Sequence, residues 1–185
     1  MNFDFSQKLF CVFGLNACGK TEIGKHIARA YKAAVFDVLG EYVKEFPAYV
    51  PRNKDYPAIA YEFDKFIAQI STDKNYDLLL IDEANRIFPN HRPLMPAFRS
   101  FLDTYRHYNK SVGFICRRPA QLQTDIVELS HYILVFNLKG KNDTAYFNCL
   151  NLNIRDKIAR LPPYHFAVID QQREVAFFKP INIAT

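Results

Sequence analysis

The chain has 185 residues, 49% hydrophobic and 23% charged, a balance that describes one globular domain over 1–185 and excludes disorder, collagen and coiled coil. Lys and Arg number 24 against 19 Asp and Glu, and the net charge of +5 leans toward anionic partners such as phosphates or nucleic acid. There is no transmembrane segment, since no apolar run approaches the roughly 20 residues that cross a bilayer. The start, Met1-Asn2-Phe3-Asp4-Phe5, has no signal-peptide character, and the four cysteines (Cys11, Cys18, Cys116, Cys149) lack metal-ligand spacing. These features predict reduced, largely buried thiols and a cytoplasmic location.

In chain order, the apolar run 8–13 predicts a strand that ends at Gly14. A helix follows over 20–33, with Ile23, Ile27 and Tyr31 on one face. Residues 34–38 read as a second strand, and 46–56, with Pro47 and Pro51, as a loop. Pro57 suits the first turn of a helix whose stripe is Ile59, Phe63, Phe66, Ile67 and Ile70. Residues 77–81 form a strand apolar on both faces, which suits the middle of a parallel sheet.

Pro89, Pro93 and Pro96 mark a loop, and the next helix is expected to run to about Tyr108. Its inward face is Phe98, Phe101, Leu102 and Tyr105; Arg99, Asp103 and Arg106 face outward. Strands are predicted over 111–116 and 132–137, the first followed by an element end at Arg118-Pro119. Asn142 or Asp143 is expected to cap a short helix, and a further helix over 154–161 stops at Pro162-Pro163. Residues 166–170 and 174–178 read as a C-terminal β-hairpin. Strands alternating with helices predict an α/β fold, a mostly parallel central sheet flanked by helices.

The segment Gly14-Leu15-Asn16-Ala17-Cys18-Gly19-Lys20-Thr21 fits the phosphate-loop pattern of P-loop NTPases, G-x-x-x-x-G-K-[ST], between a strand and a helix. Glycines let the backbone curl so that successive N–H groups face an anion. Lys20 reaches the β- and γ-phosphates, Thr21 offers a hydroxyl to Mg²⁺, and the helix directs its positive end at the same charge. Glu22, next on the helix, is grouped with these nucleotide-binding residues.

Asp77-Leu78-Leu79-Leu80-Ile81-Asp82-Glu83 ends a buried strand with two carboxylates. Taken alone, such a pair reads as a loop start or helix cap. Beside a phosphate loop it supplies the missing acids: Asp82 for Mg²⁺ through water, and Glu83 as general base. Strand alternation puts the two on opposite sides of the chain. The interval from Lys20 to Asp82 is about twice the roughly 30 residues of one βαβ unit. The acidic strand is therefore not the strand that directly follows the phosphate loop in sequence.

With these motifs the chain resembles the additional-strand, catalytic-glutamate class of P-loop ATPases, and within it the HerA/FtsK superfamily of DNA-pumping motors. That superfamily includes small viral genome-packaging ATPases. Phe36-Asp37-Val38-Leu39-Gly40-Glu41-Tyr42 is similar to the segment after its second strand, and Phe114-Ile115-Cys116-Arg117-Arg118-Pro119 to the end of its fourth. Arg117 stands where the family usually has a polar sensor, often Gln. The resemblance implies ATP as substrate, Mg²⁺ as cofactor and a catalytic role for Arg117 with Lys20 and Glu83. It also implies double-stranded DNA as partner, a homo-oligomeric ring, a capsid or portal contact if the source is viral, and residence in the host cytoplasm or virion.

Other readings stay open. Arg117 equally reads as a solvated charge, and Arg99, Arg106, Arg155 and Arg160 are further candidates for an arginine acting on a neighbouring subunit's phosphate. Arg86, His91, Arg92, Arg99, Arg106, His107 and Lys110 form a basic segment that either faces DNA or is ordinary surface. His26 reads as a packing or solvent residue. The phosphate loop also resembles the opening of shikimate- and nucleotide-type kinases, although Asp82-Glu83 is unlike them. A third reading is a non-motor assembly ATPase such as the Zot-like proteins of filamentous phage, against which the missing membrane segment counts.

Overall fold

A computed structural model describes residues 3–150 and 154–181. The strands are β1 (Leu9–Phe13), β2 (Ala33–Phe36), β3 (Ala48–Tyr49), β4 (Leu78–Ile81), β5 (Ser111–Cys116), β6 (Tyr132–Phe136), β7 (Phe166–Ile169) and β8 (Val175–Phe178). The helices are α1 (Lys20–Ala30), α2 (Ala58–Ile70), α3 (Pro96–Thr104), α4 (Thr124–Glu128), α5 (Lys141–Leu150) and α6 (Ile154–Ala159). All eight strands form one sheet in the order β3-β2-β4-β5-β1-β6-β7-β8. Pairing is parallel from β3 through β6 and antiparallel for β6–β7 and β7–β8. The architecture is therefore α/β with a mostly parallel sheet.

Both faces of the sheet are buried because strand alternation feeds two cores. From β1, Leu9, Cys11 and Phe13 enter one core, with Phe63 and Phe66 of α2, Phe98 of α3 and Phe147 of α5. Phe10 and Val12 enter the other, with Ile23 and Ile27 of α1 and with Tyr42. Aromatic edges lock the first core: Phe63 meets Phe36, Phe88 and Phe98, each at a centroid distance of 5.1 Å and nearly perpendicular.

Several element ends differ from the sequence expectation. α1 stops at Ala30, and β2 spans Ala33–Phe36 rather than 34–38. The predicted loop over 46–56 contains β3, a two-residue edge strand between Pro47 and Pro51; an edge strand tolerates prolines that a central one does not. α3 ends at Thr104, and a 3₁₀ turn, Tyr105–Tyr108, continues it. α4 is an unpredicted helix of five residues, started by Gln123, whose side chain accepts from Ile126 N.

Asn142 and Asp143 do not cap α5. The helix begins at Lys141, and Asp143 is buried within its first turn, 3.7 Å from the Arg118 guanidinium. Cys11 and Cys116 are buried free thiols whose pKa burial pushes up to about 12. Burial also raises the half-buried Cys18 thiol; the side chain of Cys149 lies outside the described residues. Among the described residues, no helix is long and apolar enough to cross a membrane.

Candidate functional site

Parallel pairing sends the carboxyl ends of β1, β2, β4 and β5 to one edge of the sheet. Phe13 lies opposite Cys116, Ile81 opposite Phe114, and Phe36 opposite Ile81. The chain therefore leaves the sheet along one rim at Gly14, Asp37, Asp82 and Arg117. β5 stands between β1 and β4, so the two motif-bearing strands flank it. Such a rim, beside the strand where the sheet order reverses, is where open α/β sheets hold ligands.

The phosphate loop curls through two left-handed residues, Ala17 (φ 58°) and Gly19 (φ 106°), directly before α1. A side chain at Gly14 has no room, because a Cβ there would lie 2.4 Å from Cys18 Sγ and 2.9 Å from Phe136 Cβ. Lys20 is buried, and its Nζ donates to Leu15 O at 2.9 Å, across the loop. Leu15 and Asn16 are exposed at the tip. An open cleft of about 760 Å³ adjoins the loop, lined among others by Lys20, Thr21, Glu22, Lys44, Glu41 and Tyr164.

The opposite wall of that cleft is built by Asp37. Its fully buried carboxylate accepts from the backbone N–H of Gly40 (2.8 Å), Glu41 (3.0 Å), Tyr42 (2.7 Å) and Val43 (3.2 Å). This clasp pins the turn after β2. It carries Glu41 to Thr21, whose hydroxyl donates to Glu41 Oε2 at 2.6 Å. Tyr42 is wholly buried beneath α1, with its hydroxyl 2.5 Å from where a Cβ on Gly24 would stand.

At the end of β4, Asp82 is 3% exposed and its Oδ2 has no hydrogen-bond partner among the described residues. Only Asp64 Oδ1 shares that condition. Burial, then the neighbouring charges of Glu83, Glu41 and Asp37, push the Asp82 carboxyl up to about pH 7. A buried anionic oxygen without a partner is costly and calls for a cation or a proton. Thr21 Oγ1 and Asp82 Oδ2 are hard oxygen donors of the kind Mg²⁺ takes. Among the described residues no group of three or more His, Cys, Asp or Glu could hold a metal.

Glu83 departs from the strand expectation. It does not simply alternate with Asp82, because β4 ends at Ile81 and Glu83 turns the chain in the left-handed region (φ 47°). Its buried carboxylate accepts from Arg117 Nε at 3.1 Å and lies 4.0 Å from Arg86 Nε. Arg117 thus reaches the second acid of the pair, and Arg118 turns to Asp143 instead.

The basic segment does not act as one face. Lys110 is buried and donates to the carbonyls of Asp73 and Tyr76, which removes it from any nucleic-acid surface. Arg106 bonds Tyr105 and meets His131. Arg99 lines a cavity shared with Asp103, Asp125 and Glu128. Arg86, His91 and Arg92 do share a cleft of about 410 Å³ with Lys54, and Arg92 stacks over Tyr56 at 5.1 Å. Arg155, Arg160, His107 and His26 are exposed.

The sequence reading left Tyr164 and Phe136 unassigned, and both border the phosphate loop. No motif marks either one. Glu41 and Asp37 were visible only as part of a family-like segment, without a role.

The fold has clear counterparts. Over 97% of this chain and 100% of the other, it matches the genome packaging NTPase B204 from Sulfolobus turreted icosahedral virus 2 in complex with ATP-gammaS (TM-score 0.81, 21% identity). B204, described as the DNA-packaging ATPase from Sulfolobus Turreted Icosahedral Virus, matches over the same shares with TM-score 0.83 and 19% identity. The N-terminal domain of zonular occludens toxin from Neisseria meningitidis matches 95% of each chain, with TM-score 0.52 and 12% identity. No curated protein sequence matches significantly. The family model for zonular occludens toxin (Zot) matches residues 25–172, most of the chain, beginning just after the phosphate loop. The chain belongs to the zonular occludens toxin (Zot) family.

Proposed function

We propose that this chain, acting as one ATPase unit over 1–185, hydrolyses Mg-ATP and couples the cycle to moving nucleic acid, double-stranded DNA foremost, as a homo-oligomeric ring. The observation that carries the chemistry is the buried, unpartnered Asp82 Oδ2 beside Glu83, on the same sheet rim as Lys20 and Thr21. The insertion of β5 between β1 and β4 supports the additional-strand, catalytic-glutamate class. The 36–42 segment, whose Asp37 clasp builds the cleft wall, supports a HerA/FtsK-type ancestry. The likeness to B204, whose published descriptions name genome packaging, supports translocation, with a capsid or portal partner and a place in the host cytoplasm or virion.

In this mechanism the loop from Gly14 to Gly19 turns its N–H groups to the phosphates, and Lys20 exchanges Leu15 O for the β- and γ-phosphate oxygens. Glu22 follows on the rim of the cleft. Thr21 and Asp82 would hold Mg²⁺, which would supply positive charge against the phosphates. Because burial and neighbouring carboxylates raise the proton affinity of Asp82, a cation bound there, through water, would displace a proton from it. Glu83 accepts the proton of the water that attacks the γ-phosphorus as the bond to the β–γ bridging oxygen breaks and ADP leaves, while Arg117 fixes the Glu83 carboxylate.

Phosphate release, measured with and without duplex DNA, tests the proposal. Turnover without a small-molecule acceptor, increased by duplex DNA and accompanied by oligomerisation with a non-hydrolysable ATP analogue, is expected. Transfer of phosphate onto a metabolite would convert the reading to a kinase. Family membership favours one second reading, an ATPase of filamentous-phage assembly that does not pump duplex DNA. Turnover indifferent to duplex DNA selects it.

A further inference from the structure

Beside the phosphate cleft lies a second, smaller cavity that the mechanism above does not use. It measures about 270 Å³ and is lined by Phe136, Tyr164, Phe166, Pro180 and Ile181 together with Gly19, Glu22 and Ile23 of the loop–helix junction. Pockets that enclose whole small ligands run from about 300 to 1,000 Å³. This one is therefore sized for part of a ligand, and its walls are almost wholly apolar. Three residues, Gly19, Glu22 and Tyr164, line both it and the phosphate cleft, so the two spaces meet at the start of α1.

Tyr164 stands at that junction. It lies in the turn between α6 and β7 in the left-handed region (φ 62°), a conformation disfavoured for an aromatic residue, and the residue is 56% exposed. Tyr164 Cδ1 comes within 3.6 Å of where a Cβ on Gly19 would stand, and the Phe136 ring within 3.3 Å. Gly19 thus keeps the backbone low enough for both rings to approach the phosphate loop. A strained residue that presents an open aromatic face beside an anion cradle is a feature packing alone does not require.

Resting on the reading of the adjoining cleft as a triphosphate site, we propose that this cavity takes the nucleobase, held by the Tyr164 ring and the apolar wall of Phe136, Phe166 and Ile181. Of the lining side chains, Glu22 offers a carboxylate to the edge of the base. Recognition by stacking and apolar contact is tolerant of base identity, because every base has a π-face. Purine triphosphates are therefore accepted alike, and ATP and GTP bind with affinities within about tenfold of each other.

Competition binding of Mg-ATP, Mg-GTP and Mg-tripolyphosphate to the intact chain, its Tyr164→Gly and Tyr164→Phe variants, and Lys20→Ala tests this. Tyr164→Gly suits the positive φ and removes only the ring. Loss of one base–aromatic stack predicts a weakening for both nucleotides of roughly tenfold or more. Tripolyphosphate binding should be retained in Tyr164→Gly, and nucleotide binding in Tyr164→Phe. Equal weakening of tripolyphosphate, no weakening of either nucleotide, or a preference for one purine beyond tenfold overturns the base pocket while the phosphate site stands. Failure of all three ligands to bind the wild-type chain, with Lys20→Ala no different, overturns the phosphate site and the base pocket with it.

Discussion

The hydroxyl of Thr21 donates to Glu41 Oε2 at 2.6 Å, joining the last residue of the phosphate loop to the turn after β2. The contact exists because Asp37, fully buried, gathers the N–H groups of residues 40 to 43 on its two oxygens. Glu41 thereby enters the field felt by Asp82 from the strand next to β2. Three acids from two strand ends, Asp37, Glu41 and Glu83, thus act on the Asp82 carboxyl, and one of them, Glu41, also holds the Thr21 hydroxyl.

Asp37→Ala is expected to lower stability by about 3 kcal/mol or more, because several buried N–H groups lose a charged acceptor at once. Mg-nucleotide affinity should fall with it as Glu41 leaves Thr21. Chemical denaturation and nucleotide titration check this. A stability loss under about 1 kcal/mol would mean the turn holds its shape without the clasp.

Lys20→Ala is expected to abolish measurable nucleotide binding. Glu83→Gln should bind nucleotide normally yet hydrolyse it on the order of a hundredfold more slowly, as loss of a general base requires. Single-turnover phosphate release beside equilibrium binding separates the two effects. Unimpaired turnover in Glu83→Gln removes that residue from the chemistry.

Arg117 is 39% exposed at its side chain, so its pair with Glu83 contributes little to stability, within about 1 kcal/mol. If it fixes the general base, Arg117→Ala should cut kcat more than tenfold while thermal unfolding and nucleotide affinity stay nearly unchanged. A fall in stability matching the fall in rate would assign Arg117 a structural part only.

Asp82 sets a pH signature. Its folded-state pKa of about 7 lies above the ordinary value of 3.8, so between these values the folded chain holds a proton the unfolded chain has lost. That stabilises the metal-free fold at low pH, an effect lost as pH rises through about 7. His131 titrates in the opposite sense, since burial and then Arg106 press it down to about 4. The difference between wild type and Asp82→Asn isolates the carboxyl. Without Mg²⁺, Asp82→Asn should be the more stable protein at pH 8, and the gap should close toward pH 5. A gap independent of pH would show that Asp82 is ionised throughout.

Gly14→Ala should weaken nucleotide binding strongly and destabilise by about 1–3 kcal/mol, since its Cβ meets Phe136 Cβ at 2.9 Å as well as Cys18 Sγ. Binding and denaturation curves indistinguishable from wild type would mean the loop relaxes freely there.

The strand-and-helix alternation was legible in the chain because β1, β4 and β5 are buried on both faces and read as unbroken apolar runs between punctuating Gly and Pro. The phosphate loop was legible because its residues are contiguous, and the Asp82-Glu83 pair because it closes such a run. Short elements escaped: β3 is two residues between prolines, and α4 depends on the Gln123 cap. The membrane argument set against a Zot-like reading misled, since a spanning segment has no bearing on how a nucleotide-binding sheet folds, and the family match takes in β2 through β7 of that sheet. Local order, then, is what the sequence by itself determined: where the longer strands and helices run, and which contiguous segments have the phosphate-loop and acidic-pair patterns. Tertiary structure alone decided that Asp37 clasps the turn presenting Glu41, that Arg117 meets Glu83, and that Tyr164 stands over the phosphate loop. The Asp37 clasp is local but carries no contiguous motif, while Arg117 and Glu83, and Tyr164 and the loop, lie far apart in the chain, and only the pairing order of the sheet brings them to one rim.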